Sequence, residues 1–170
     1  PDSGYWGNSS GNSNGSSYGY SYGSGTRASY INGIYQEYVY ESSHLKNQWG
    51  DYRVERAFDN NANTDWVEGS NGKQLNDYVG CVWRTNDSRL AACGIVIKGG
   101  MQYLGYTSWN RNQRPRNITV TINGNTYYFT MSDSMSEQTF YFGGDAIRPD
   151  SGGRLDLCIF RTEKATCTDI

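Results

Sequence analysis

Across residues 116–122 apolar and polar positions alternate, so Ile118, Val120 and Ile122 share one face of an extended chain and Asn117, Thr119 and Thr121 the other. Asn123-Gly124 follows, a pair that accepts the positive φ values of a two-residue turn, and residues 126–130 return as the partner strand. Residues 138–142 are aromatic-rich. Residues 154–160 put Leu155, Leu157 and Ile159 on one side, and Gly, Asp, Ser or Pro bounds each run. Short strands separated by turn residues predict an all-β, antiparallel sandwich. Helical turns are expected only at residues 42–47 and 54–58, and no βαβ alternation or long repeat occurs.

The first 34 residues have a different character. Residues 1–30 are mostly Gly, Ser, Asn and Tyr, with Asp2 and Arg27 the only charges and no aliphatic side chain larger than Ala28 to bury. They read as a low-complexity tether (1–34) before a folded domain (35–170). Tyr5, Tyr18, Tyr20, Tyr22 and Tyr30 also leave open docking onto the domain or self-association. A net charge of −2 offers no general attraction to nucleic acid or anionic lipid. No run of about 18 apolar residues predicts membrane insertion, and any secretion signal is expected upstream.

Four cysteines bear on compartment. Cys81 and Cys93 lie symmetrically about residue 87, each within an apolar run, with polar Thr85-Asn-Asp-Ser88 between them. That symmetry predicts a hairpin with a cross-strand disulfide. Cys158 and Cys167 form a second local pair, although four thiols permit three connectivities. An even count points to an oxidising compartment, secreted or at the cell surface. Zinc is the rival, weakened by the lack of Cys-x-x-Cys spacing and by a single histidine, His44.

Two segments exceed what a scaffold needs. In Ala57-Phe-Asp-Asn-Asn-Ala-Asn-Thr-Asp-Trp-Val-Glu-Gly69 side-chain and carbonyl oxygens crowd a short loop. Such a loop can hold calcium, or Asp59, Asn61 and Asn63 can simply stabilise turns. Residues 99–116 join two strands by a long stretch carrying Tyr103, Tyr106, Trp109, Arg111, Asn112 and Arg114. Exposed aromatic faces there would stack on sugar rings, with Asn and Arg serving hydroxyls. Alternatively, Arg114 pairs with a carboxylate to cap the next strand, and Tyr106 packs as core.

The order of Glu41-Ser-Ser43, the loop ending Thr64-Asp-Trp-Val-Glu-Gly69, Gly105-Tyr106, Asn112-Gln-Arg-Pro-Arg116 and Thr166-Cys-Thr-Asp-Ile170 resembles the discoidin-like (F5/8 type C, galactose-binding-like) sandwiches. Within them it is similar to the NADase-type glycan-binding domain. The resemblance covers residues 38–170 and implies a jelly roll that binds rather than catalyses. It places a ligand site near Trp66, Glu68 and the Asn112–Arg114 turn, which together with the aromatics of the long loop gives an expected rim of Trp66, Glu68, Tyr106, Trp109, Asn112 and Arg114, with Tyr103 nearby and an Arg114–Glu68 ion pair as one arrangement. It also implies a structural calcium held by the Ala57 carbonyl, Asp59, Asn61, Thr64 and Asp169. Asn60, Arg116 and Asp169 stand where the family has Gly, Lys and Glu, and Gly80-Cys81 where it tends to have Gly-Glu.

Binding of a glycan or other cell-surface ligand is therefore the leading reading. An enzyme needs a placed acid, base or nucleophile, and the sequence offers neither Gly-x-Ser-x-Gly nor His-Glu-x-x-His. A small glycosidase built on Glu68 would need a second carboxylate at a suitable distance. A surface assembly subunit, joined through the Tyr/Gly-rich tail, is the structural alternative.

Overall fold

The computed structural model describes residues 20–21, 33–61, 63–69, 77–102 and 105–164, with backbone alone at 20–21 and 161–164. Among the described residues there are ten strands: β1 (Tyr20–Ser21), β2 (Ile34–Glu41), β3 (Lys46–Asn47), β4 (Gly50–Asp51), β5 (Tyr78–Thr85), β6 (Gly94–Ile97), β7 (Pro115–Ile122), β8 (Asn125–Thr130), β9 (Gln138–Tyr141) and β10 (Arg154–Lys164). Six of them form one antiparallel sheet in the order β1-β2-β5-β10-β7-β8. The pair β6–β9, extended by a bridge between Ala92 and Ile147, forms the opposing layer. A β3–β4 hairpin stands at one end.

The alternation read in residues 116–122 becomes β7, whose Ile118, Val120 and Ile122 are buried. Asn123 (φ 44°) and Gly124 (φ 80°) make the turn into β8. Asn123 also ties that turn to β10, because its side-chain oxygen accepts the Asp156 amide at 2.8 Å. Leu155 and Leu157 of β10 join these residues, and Ile95, Ile97, Phe140 and Phe142 close the core from the other layer. Rings interdigitate across the gap, with Tyr127 and Phe142 centroids 4.6 Å apart. A second cluster of Val39, Val54, Val79 and Cys81 continues the core, and Phe58 and Trp83 pack against both.

Three expectations are corrected. Cys81 and Cys93 do not face each other across a hairpin: β5 is central, pairing with β2 and β10, whereas Cys93 leads into β6 of the other layer. The chain between them turns at Asp87, whose carbonyl accepts the Leu90 amide, and then crosses to the second layer. The thiols of Cys81, Cys93 and Cys158 are free, and Cys167 lies outside the described residues. Burial pushes the Cys81 thiol up and that of Cys158 up to about 12, so both stay protonated and unreactive at neutral pH. Residues 42–47 are not helical but enter β3, while 54–57 do form a 3₁₀ turn. A short helix α1 (Tyr106–Arg111) occupies the segment read as an irregular loop.

Among the described residues no helix is long and apolar enough to cross a membrane.

Candidate functional site

β2 ends at Glu41 where β5 begins, and the oxygen-rich loop, the β3–β4 hairpin and the α1 connection are laced together near this point. The Leu45 amide donates to the Val67 carbonyl (2.7 Å), Tyr52 to Leu45 (2.9 Å) and Val67 to Tyr52 (3.3 Å), so the hairpin base and residues 65–69 form one unit. Gly69 is required there, since a Cβ would lie 2.3 Å from the His44 carbonyl oxygen. The Asp65 carboxylate accepts the Gln102 amide at 2.8 Å, which attaches the α1 connection to that unit.

Within the α1 connection the strand-cap reading prevails over the sugar-site reading. Trp109 is 6% exposed, its indole N–H donating to the Gly99 carbonyl at 3.1 Å. The Arg114 guanidinium lies 3.9 Å from the centre of that ring, donates to the Trp109 and Asn112 carbonyls (2.8 and 3.1 Å), and grips Asp133 at 2.6 and 3.1 Å. Arg114 thus pairs with Asp133 and not with Glu68. Gly100 lies flush against both side chains: a Cβ there would sit 2.7 Å from the Trp109 ring and 2.9 Å from Arg114. Asn112 turns its amide back to the Ser108 carbonyl (2.7 Å), capping α1. The expectation of an exposed Trp109 is overturned because these partners close over it.

Tyr106 remains 62% exposed and stacks beside Trp109, with centroids 5.9 Å apart. Trp66 and Glu68 are half-buried, and Tyr103 lies outside the described residues. The Trp66 indole N–H donates to Glu41 at 2.6 Å, so its edge is fixed. The other Glu41 oxygen meets His44 Nδ1 at 2.7 Å, while His44 Nε2 meets Asp51 at 3.0 Å. Burial raises the Glu41 carboxyl above its ordinary value, against the lowering effect of His44 and Trp66. For Asp51 burial also acts upward, but Arg53, His44 and Lys46 together hold it below the usual value.

Sequence reasoning missed Trp49, which is 76% exposed at the tip of the β3–β4 hairpin. The signal was present in Asn47-Gln-Trp-Gly50: Asn47 Oδ1 accepts the Trp49 and Gly50 amides (2.8 and 3.2 Å), a turn that Asn favours and that lifts the residue between them.

In the oxygen-rich loop Asp59 accepts the Asn61 amide (2.9 Å) and the Thr64 hydroxyl (2.6 Å). The Asn61 carbonyl accepts from the Thr64 amide and hydroxyl, and its side chain accepts the Asn63 amide. Asp59, Asn61 and Thr64 therefore converge, whereas Ala57 is exposed and Asp169 lies outside the described residues. These hard oxygens suit calcium in kind, but the turn is already satisfied by its own hydrogen bonds. Among the described residues no three His, Cys, Asp or Glu side chains group as a metal site.

A two-layer antiparallel β-sandwich is the architecture of the discoidin-like class. The chain belongs to the family described as the NAD glycohydrolase translocation F5/8 type C domain, which matches residues 29–166. No match to a curated protein was found, and none to a solved structure.

Proposed function

We propose that this domain is a non-catalytic recognition module, secreted or displayed at the cell surface, that holds a glycan at its laced loop end. The observation that carries the reading is Trp49: a large apolar ring in water, on a hairpin whose base is hydrogen-bonded on both sides. Exposed aromatic rings held by rigid backbone are suited to stacking on a sugar face. Tyr106, exposed on α1, offers a second ring, and half-buried Glu68 follows Val67 in the unit bonded to the hairpin base. The family's name associates such domains with translocation of an NAD glycohydrolase. Attachment to a glycan-bearing surface is the step a binding module would contribute to that process.

The local chemistry favours binding over catalysis. Both His44 nitrogens face carboxylates, so neither is left to take a proton from a nucleophile. Calcium belongs to the same proposal in a supporting role. Asp59, Asn61 and Thr64 would hold it, steadying the turn that leads to Trp66.

A glycan array with the purified chain tests the reading, with Trp49→Ala and Tyr106→Ala as paired probes. Binding to a defined glycan class that both variants weaken is the expected result. An array with no signal, alongside capture of a protein ligand that Trp49→Ala abolishes, would keep the surface and replace the ligand.

A further inference from the structure

The end of the sandwich away from the laced loops carries a second concave surface. There β2 begins beside the end of β5, with Ile34 opposite Thr85 and Tyr35 opposite Arg84. A cleft of about 490 Å³ opens at this point, lined by Gly33, Tyr35, Asn86, Asp87, Ser88 and Arg89. Volumes of this order suit a small ligand. Eight-residue β2 runs from this end to the loop end, roughly 23 Å at 3.3 Å per residue, so the two surfaces share no residue.

The turn over residues 86–89 is braced from behind. The Asp87 amide donates to Thr85 Oγ1 at 3.0 Å, and the Leu90 amide to the Asp87 carbonyl at 3.2 Å. Thr85 is buried and donates its own amide to the Gly153 carbonyl at 2.9 Å; a Cβ on Gly153 would lie 2.3 Å from the Thr85 carbonyl oxygen. From the β9–β10 connection Arg148 donates to the Ser88 carbonyl at 3.0 Å. The Asp87 carboxylate accepts the Arg89 amide (3.0 Å) and meets the Arg89 guanidinium with both oxygens, at 2.9 Å each. Those bonds hold the Asp87 carboxyl down at about 2, so at neutral pH the cleft contains one negative and one positive group that offset each other.

Backbone and Asp87 thus fix the turn. Asn86 and Ser88 are left over: both are exposed, and neither side chain bonds to another described residue. Tyr35, 41% exposed, adds an aromatic face. These groups select among ligands. An anion would meet the Asp87 carboxylate, a cation the Arg89 guanidinium, and a large apolar molecule would find one ring among polar groups. A neutral polyhydroxy compound fits, because its C–H face can stack on the ring while an amide and a hydroxyl, each both donor and acceptor, serve its hydroxyls.

We infer that this cleft is a second saccharide-binding site, in which Tyr35 stacks on a sugar ring and Asn86, Ser88 and the outer edge of the Asp87–Arg89 pair bind its hydroxyls. The cleft stands without the loop-end site. Its consequence, that one domain links two sugar chains held at opposite ends, rests also on the loop-end reading.

Amide NMR of the nitrogen-labelled full chain, titrated with glucose, galactose, mannose and N-acetylglucosamine to about 100 mM, reads this site directly. At least one sugar should shift the amides of residues 85–90 and the Asn86 side-chain amide, saturating with a millimolar Kd. Asn86→Ala, which breaks no bond among the described residues, should weaken that sugar about tenfold, and Tyr35→Ser by a similar factor. Spectra otherwise like wild type report that both variants keep the fold. Trp49→Ala should leave the shifts at 85–90 unchanged, and Asn86→Ala should leave any response of the Trp49 indole unchanged, so failure of one site is distinguishable from failure of the other. Cleft resonances that none of these sugars moves would overturn the proposal. Shifts that persist unaltered in Asn86→Ala/Tyr35→Ser would do the same, as would shifts caused by sodium phosphate and not by the sugars, which would make the cleft an anion site.

Discussion

Trp49 and Trp109 sit in two loops laced to the same end of the sandwich and have opposite fates. Trp109 is enclosed by Gly99, Gly100, Arg114 and, through Arg114, Asp133 from beyond β8. Trp49 is held only by its backbone, at a turn that Asn47 organises, and its ring stays in water. One loop invests its tryptophan in the fold, and the other leaves it exposed, as the ring we propose for a ligand. An indole by itself therefore says little about function; what closes over it decides.

The sharpest way to break this contrast is at the enclosed ring. Trp109→Ala should cost about 3–5 kcal/mol of folding stability, the usual range for emptying a buried Trp site. Arg114→Ala should cost about 2–4 kcal/mol, since it uncaps two carbonyls beneath it and removes the guanidinium from the ring. Urea denaturation measures both. A Trp109→Ala midpoint indistinguishable from wild type would mean that the ring is not structural.

Where sequence was informative, the signal was local. Residues 116–130 became β7 and β8 because alternation and Asn123-Gly124 agree, and residues 154–160 became part of β10 for similar reasons. The failures share a cause in long-range pairing. Apolar runs flanking Cys81 and Cys93 looked like two arms of a hairpin. In fact β5 is apolar because strands distant in sequence cover both its edges, with Val39 on one side of Cys81 and Leu157 on the other. Likewise α1 has no side-chain cap at its N-terminus, begins after Gly105 at φ 82° and is stabilised by Trp109 packing, which no window of local sequence displays. Asp133, the carboxylate that Arg114 meets, lies nineteen residues downstream. The loop end was legible as a region. Which of its aromatics face water was not.

A cation would make the loop before Trp66 as rigid as the Trp109 plug. If Asp59, Asn61 and Thr64 hold calcium, an excess of about one hundred times Kd should add about 2.7 kcal/mol of stability by mass action. Differential scanning calorimetry in EDTA and then in calcium reads this as a rise of several degrees in Tm. An unchanged Tm would leave the self-bonded turn as the full account of these residues.

At the exposed ring the effect should move from folding to binding. Trp49→Ala is expected to leave stability within about 0.5 kcal/mol, as a surface substitution outside any packed contact. It should weaken ligand binding by roughly 1–3 kcal/mol through lost stacking area. A Trp49→Ala protein that binds normally but melts early would reverse the roles assigned to the two tryptophans.

The smallest effect separates the two regions by their hydrogen-bond acceptors. The Trp66 indole, in the unit that carries the Trp49 hairpin, donates to the Glu41 carboxylate, whereas Trp109 donates to a backbone carbonyl that cannot titrate. Burial raises Glu41 above its ordinary value of 4.5, so the folded chain holds this proton more tightly than the unfolded chain. Its contribution to stability is complete below that value and is lost as pH rises through the folded value. Asp51 at the same hairpin is held below its ordinary value of 3.8, so its contribution has the opposite sign, present above that value and lost as pH falls through the folded one. The two partly cancel in any melting curve, which makes site-resolved NMR the better measurement. The Trp66 indole N–H resonance should shift in step with the Glu41 carboxyl, at a midpoint above 4.5, while the Trp109 resonance stays still over the same range. In Glu41→Gln the Trp66 shift should disappear with the indole still bonded to the amide oxygen. If both indoles titrate together, the two loops are coupled through Asp65 and Gln102, and the division between a fixed and a free tryptophan fails.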